Sequence, residues 1–154
     1  MTEVPRQGAT PEPDASHGSE PLNDALAAIR SIHAQRPYSR ALLASGLLHD
    51  EVEWLAAGSP AELPWAGRHV GPDGVKRFFH LLAESMTYEG FDMQHVVADA
   101  STVVAIIEAW GFAKATGRTF RGTIVRIYVF RDGKIAKVQN IYDTAAYAAA
   151  LRPA

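Results

Sequence analysis

Apolar residues recur at helical spacing along the first half of the chain. Three stretches carry one apolar face each, and they predict helices at 21–36, 39–48 and 72–86. Asn23 is a plausible cap for the first helix, which should end at Arg36-Pro37 because the residue before proline avoids the α region. A short strand at 51–55 and a loop at 56–71, punctuated by glycine and proline, separate the second helix from the third.

Long β-rich runs fill the second half of the chain. They predict strands at 91–98, 102–114, 119–131 and 134–142, followed by a short helix at 145–151 with Asp143 or Thr144 as its cap. Thr116-Gly117 lies in the first hairpin turn, and Asp132-Gly133 predicts the second because both of its residues suit positive φ. Helices followed by an antiparallel meander indicate an α+β fold, with helices covering one face of a curved sheet. The best supported element is the last strand, within 133–143.

The predicted strands are apolar on both faces, which indicates that both faces are covered. One face should meet the three helices. The other should carry Val104, Ile106, Trp110, Val125, Ile127 and Ile141. A second copy of the chain is the simplest cover for this outer face, so we expect a homodimer. The alternative is that the N-terminal tail or the terminal helix covers it.

Composition narrows the class of protein. The 154 residues are enough for one domain with a core, and we expect a disordered tail at 1–20 and a single domain at 21–154. Lys and Arg total 15 against 17 Asp and Glu, with no basic cluster, so nucleic acid is a poor partner. No apolar run approaches the roughly 20 residues of a membrane span. The start of the chain lacks a basic segment followed by an apolar one, so a cytoplasmic location is expected.

The cysteine and histidine content gives little support for a bound metal or another cofactor. The chain has no cysteine, which excludes disulfides, thiolate metal sites and a cysteine nucleophile. The histidines show no paired spacing of the His-x-x-x-His kind; those within the predicted domain are His33, His49, His69, His80 and His95. We therefore expect neither a metal nor another cofactor.

Several motifs, taken in order, resemble one family. They are ELPWAG at 62–67, a Gly-x-x-x-Val-x-x-Phe-Phe helix from Gly71 to Phe79, ATGR at 115–118, RDGKI at 131–135 and YDTAA at 142–146. This series resembles the SnoaL-like proteins of the nuclear transport factor 2-like superfamily over about residues 22–151. The resemblance implies a cystatin-like cone, in which a curved antiparallel sheet wraps around three N-terminal helices and encloses a deep apolar pocket. It also implies a frequent dimer, but it does not fix the reaction.

Strand alternation then predicts which side chains face into the cone. They are Val103, Ala105, Ile107 and Ala109 on one strand, Ile124, Arg126 and Tyr128 on the next, and Val138, Asn140 and Tyr142 on the last, with Trp54 and Phe78 also inside. A slip of one residue would reverse every assignment on a strand. Glu108 is expected to face outward.

The catalytic sets of known relatives do not match these positions. By the resemblance, the base and the acid of ketosteroid isomerase correspond to Trp54 and Arg126. The Asp–Arg–Asp set of the limonene-type epoxide hydrolases corresponds to Ile107, Ala109 and Asn140. Many SnoaL-like relatives carry a carboxylate where Asn140 stands, and an amide cannot act as a general base.

The remaining polar groups define the candidate catalytic site. Arg126 would stabilise an enolate or carboxylate of the substrate, Asn140 would hold the substrate, and Asp143 would move a proton. Alternatively, Arg126 reaches the rim or pairs with Glu53 or Asp143, and Asp143 only caps the last helix. The expected substrate-binding residues are Trp54, Trp65, Phe78, Ile107, Ala109, Tyr128 and Tyr142. Trp65 is either a lid over the ligand or a plug in its loop, and His69 on the same loop is expected to be exposed.

Two functions follow from this site. The first is a cofactor-independent enzyme that cyclises, isomerises or hydrates a small hydrophobic molecule resembling a polyketide or terpenoid. The second is a protein of the same fold that binds such a molecule without turnover, which the missing carboxylates favour.

Overall fold

The computed structural model of the chain describes residues 19–154, with side chains described from Pro21 onward. Four helices are α1 (Ser19–His33), α2 (Tyr38–Ala44), α3 (Gly71–Ser85) and α4 (Thr144–Leu151). Six strands are β1 (Leu48–Ala56), β2 (Gly67–Val70), β3 (Met86–Asp99), β4 (Thr102–Ala113), β5 (Thr119–Arg131) and β6 (Lys134–Ile141). The expected disordered tail lies outside the described residues except for Ser19 and Glu20, which begin α1. No helix in the described part of the chain is long and apolar enough to cross a membrane.

The strands form one six-stranded sheet in the order β2-β1-β6-β5-β4-β3. This arrangement confirms the predicted α+β fold and its antiparallel meander from β3 to β6. The sheet is nevertheless mixed, because β1 runs parallel to β6. Strand β2 was expected to be loop. At four residues it is too short to show a pattern of alternation, and it pairs with β1 from Glu53 opposite Val70 to Ala56 opposite Gly67.

Several predicted boundaries were wrong, mostly in the first half of the chain. Helix α1 begins at Ser19, so Asn23 lies inside it, and it ends before Pro37 at His33. Helix α2 ends at Ala44, and Leu48 starts β1 instead of ending a helix.

Strand β3 begins at Met86, earlier than predicted. The prediction missed its first part because a bulge near Glu89 interrupts the alternation of side chains. Gly90 is required there. A Cβ on this residue would lie 2.0 Å from the ring of Trp110 on β4, which covers the backbone at that point.

The turns and the last cap follow the sequence signals. Asp132 and Gly133 have φ angles of 52° and 74°, which confirms the hairpin between β5 and β6. At the start of α4, Asp143 accepts a hydrogen bond from the backbone nitrogen of Ala146 at 3.0 Å. Asp143 is therefore the cap of α4, one of the two candidates for that position.

The concave face of the sheet holds the core, as strand alternation predicted. The predicted inward residues of β4 are fully buried, and Ile124, Arg126 and Tyr128 of β5 are buried too. Helix α4 packs on this same side, where the ring of Tyr147 lies 4.7 Å from that of Phe120. Helix α4 therefore does not cover the outer face, which corrects one alternative considered for that surface.

Candidate functional site

A cavity of about 430 Å³ opens where α2, α3 and the first half of β3 meet, and we call it the central cavity. Most of its wall is aromatic and aliphatic, from Tyr38, Phe79, Leu82, Met86, Tyr88, Phe91 and Trp110. Its charged residues are Arg36, Glu89, Asp92 and Arg126. A much smaller void of about 10 Å³ continues inward and shares Leu82, Tyr88 and Arg126 with it. The central cavity therefore reaches from the protein surface to the buried guanidinium of Arg126.

Strand pairing places Arg126 at this position. It lies on β5 between Ala105 of β4 and Asn140 of β6. Its side chain is 3% exposed, and its Nε donates a hydrogen bond to Oδ1 of Asn140. Asn140 in turn donates from Nδ2 to the carbonyl oxygen of Leu55 at 3.3 Å, which fixes the orientation of the amide. Nη1 of Arg126 is buried and has no hydrogen-bond partner among residues 19–154.

The two carboxylates considered as partners for Arg126 are engaged elsewhere. Oε1 of Glu53 lies 2.9 Å from Nη2 of Arg68 on the surface, and Asp143 caps α4. Arg126 also does not reach the rim, because its side chain is buried. A buried cation that no carboxylate compensates is costly unless other groups stabilise it.

Aromatic rings surround the guanidinium. Its Cζ lies 4.7 Å from the ring centroid of Tyr38, 5.2 Å from that of Phe91 and 5.3 Å from that of Trp54. Each contact is a cation–π interaction, which is strongest when it is shielded from water. Burial by itself lowers the pKa of Arg126, but Tyr38 and Tyr128 beside it raise the pKa overall, so the charge is retained.

A chain of neutral polar groups adjoins this cation. The hydroxyl of Tyr128 lies 2.6 Å from that of Tyr38 and 3.0 Å from Nε2 of His33. Burial, reinforced by Arg126 and Arg36, lowers the pKa of His33 to about 3. Burial also raises the pKa of Tyr128 well above its usual value. Both side chains are therefore uncharged near neutral pH, and Arg126 supplies the full charge of the cluster.

His33 and Tyr38 were missing from the predicted site. His33 follows Ile29 by four residues on the apolar face of α1, and that position is the one signal that its ring is buried. Tyr38 begins a helix too short to show a clear pattern. Both reach Tyr128 only because the turn between α1 and α2 packs across the end of the cone.

Of the residues predicted for the site, Arg126 alone lines the central cavity. Trp65, Phe78, Asn140 and Tyr142 line the small inner void instead. Trp54, Ile107, Ala109 and Tyr128 are fully buried in the surrounding core. Asp143 lies outside both. The physical reason is that aromatic side chains fill the deep end of the cone, so the cavity is shallower than expected.

The mouth of the cavity also differs from the prediction. We expected the loop of Trp65 and His69 to rim it, but Trp65 is 1% exposed and donates from Nε1 to the hydroxyl of Tyr142 at 3.0 Å. Trp65 is thus a plug and not a lid. His69 is half-buried, with Nε2 2.8 Å from the carbonyl oxygen of Trp65. The mouth lies instead beside Arg36 and Asp92, which line the cavity and have half-exposed side chains.

Trp110 lies on the outer face of β4, as predicted, and its ring also lines the central cavity. Its neighbour on β4, Ala109, points inward, but the bulge and Gly90 on β3 let the indole ring extend over the edge strand. Arg121 lies over the same ring at 4.8 Å and pairs with Glu108 at 3.0 Å, which confirms that Glu108 faces outward.

A curved sheet closed by helices around such a cavity defines the nuclear transport factor 2-like class. A protein of this class from Burkholderia xenovorans matches with a TM-score of 0.72 and 24% identity, covering 85% of this chain and 98% of its own. TerC crystallised with polyporic acid matches with a TM-score of 0.66 and 20% identity, covering 85% of this chain and 97% of its own. A candidate SnoaL-like polyketide cyclase from Mesorhizobium loti matches with a TM-score of 0.65 and 16% identity, covering 78% of this chain and 97% of its own. At these identities the likeness shows the fold alone.

The sequence then identifies the family. The family model of the SnoaL-like domain matches residues 40–138, which is more than half of the chain. The chain therefore belongs to the SnoaL-like family, as its motifs indicated. No curated protein matches it in sequence.

Proposed function

We propose that this protein is a cofactor-independent enzyme that cyclises, isomerises or hydrates a small hydrophobic molecule, similar to a polyketide or terpenoid, in the central cavity. The observation that carries the proposal is the buried guanidinium of Arg126 at the inner end of an aromatic cavity. One protein described as a SnoaL-like polyketide cyclase and two described as isomerases have the same fold, and TerC, which also has it, was crystallised with polyporic acid. These likenesses support the class of substrate.

Arg126 would act on the negative charge that develops during the reaction. When a proton leaves the carbon beside a carbonyl group, the electron pair moves to the carbonyl oxygen. A guanidinium already fixed in a water-poor cavity stabilises that oxygen without reorganising. Asn140 holds Nε of the guanidinium, which fixes its orientation at the inner end of the cavity. Tyr38 and Phe91 would hold the substrate body against the charge.

The proton acceptor would be one of the carboxylates at the mouth. Glu89 and Asp92 line the cavity, and Oδ1 of Asp92 lies 3.4 Å from Nη2 of Arg36. Asp143 has no step in this proposal because its carboxylate caps α4 outside the cavity.

Liquid chromatography coupled to mass spectrometry of a metabolite extract tests the proposed catalysis. Purified protein is incubated with a small-molecule extract of the cells that make it. We expect at least one compound either to shift in retention time with no change in mass or to gain the mass of one water. Arg126→Gln should lose this conversion, whereas Arg68→Gln should keep it. Arg68 is the control because its side chain is 59% exposed on β2 and lines neither the central cavity nor the inner void.

The alternative is binding without turnover. It is favoured by Asn140, an amide where many SnoaL-like relatives carry a carboxylate, and by the lack of any carboxylate partner for Arg126 among the described residues. A compound that binds stoichiometrically and is recovered unchanged after long incubation would contradict catalysis and support this alternative.

We also propose that two copies of the chain associate through the outer face of the sheet. Val104, Ile106, Val125 and Ile127 remain partly exposed there, and Ile141 is 48% exposed. Burying such a patch is favourable in water.

A further inference from the structure

We infer that the central cavity selects molecules with a single negatively charged oxygen group joined to a flat apolar body, such as aromatic carboxylates. The inference rests on the proposed function in one respect, that this cavity is the binding site. It goes further by stating that the cavity accepts one negative charge, either a carboxylate that the ligand brings or the enolate that loss of a proton would leave on a neutral ligand.

The first support is the charge that Arg126 leaves uncompensated. Its side chain is 3% exposed, its Nη1 has no hydrogen-bond partner among the described residues, and its Nε contacts only a neutral amide. The central cavity ends at this side chain. A carboxylate or an ionised enol on the ligand, placed at this end of the cavity, would supply the missing charge, and charge-assisted hydrogen bonds to guanidinium are strong.

The second support concerns the number of charges. His33 and Tyr128, which adjoin the guanidinium, are neutral near pH 7 for the reasons given above. One buried cation balances one negative charge. A second negative charge on the ligand would stay unpaired in a buried site, which is unfavourable. Glu89 and Asp92 at the mouth outnumber Arg36 there and oppose a dianion as well.

The third support is the shape of the wall next to the cation. The rings of Tyr38 and Phe91 lie 5.4 Å apart at 45°, and the guanidinium is close to both of them. Phe79 and Leu82 of α3 complete an apolar wall. A cavity of about 430 Å³ accepts a bicyclic aromatic acid whose carboxylate points to Arg126.

Calorimetry with three naphthalene compounds tests this inference. The probes are 2-naphthoate, its neutral methyl ester, and 2-naphthyl phosphate, which is a dianion at pH 8. We expect 2-naphthoate to bind the native protein about tenfold more tightly than the ester, the ratio typical of one charge-assisted hydrogen bond. It should also bind more tightly than the phosphate. Arg126→Gln should bind acid and ester equally, and Arg68→Gln, which removes an exposed cation on β2, should keep the native preference.

The comparison within the native protein is decisive even if Arg126→Gln does not fold. Equal binding of acid and ester, or tighter binding of the dianion, would overturn the inference. So would an acid preference that survives in a folded Arg126→Gln. A preference for 2-naphthoate in a protein that converts nothing in the metabolite extract would support the inference and contradict only the proposed catalysis.

Discussion

Two buried side chains next to Tyr128 differ in charge, and the difference follows from their chemistry. The intrinsic pKa of arginine is so high that burial leaves it protonated, whereas histidine loses its proton in the same environment. Arg126 is therefore a cation and His33 is neutral, with its pKa lowered to about 3. Because folding keeps His33 neutral, the free energy of unfolding depends on pH.

The free energy of unfolding should fall in mild acid because of His33. In the unfolded chain His33 has a pKa near 6.5, and in the folded protein its pKa is about 3. Between these values only the unfolded chain binds the proton, so stability is lost as the pH decreases. Urea unfolding should show a decrease of about 2 kcal/mol from pH 7 to pH 5.

Two variants isolate this contribution. His33→Gln keeps a side chain that can hydrogen-bond to Tyr128, and it should remove the decrease. His80→Gln is the control, because His80 lies on the surface of α3 with its side chain 71% exposed, and it should behave like the native protein. A native protein equally stable at both pH values, or an unchanged decrease in His33→Gln, would show that His33 is not buried and neutral.

At the scale of elements, the sequence pattern predicted the long, regular strands correctly. Strand β5 was predicted at its observed ends, and the Asp132-Gly133 turn fixed the alternation that placed Arg126 inside. The same pattern did not predict the short or irregular elements. Strand β2 has four residues, and the bulge near Glu89 hides the first part of β3. Such segments form only because a neighbouring strand supplies their hydrogen bonds.

The outer face of the sheet leads to a prediction about assembly. If a second copy covers it, sedimentation at micromolar concentration should show a dimer. Ile127→Glu on β5 would place a charge in that apolar interface and should give a monomer. Ala44→Glu, at the exposed end of α2, is the control and should stay dimeric. A monomeric native protein would remove the proposed dimer.

At the scale of the whole molecule, the cavity is made by elements that lie far apart in the sequence. The apolar interior and its single inward cation could be predicted from alternation along β4 and β5. The position of the mouth could not, because it depends on how Trp65 plugs one end while the turn before α2 leaves the other open. Tyr38 and His33 were missed for the same reason.

The central claim is that ligands bind in the cavity ending at Arg126, and a cavity-filling variant tests it most directly. Ala83 is exposed on α3 and lines the central cavity, whereas Ala44 is exposed and lines the groove between α1 and α2. We predict that Ala83→Trp abolishes calorimetric binding of 2-naphthoate and that Ala44→Trp leaves it at the native level. Native-level binding by a folded Ala83→Trp would contradict the claim, as would loss of binding in Ala44→Trp alone.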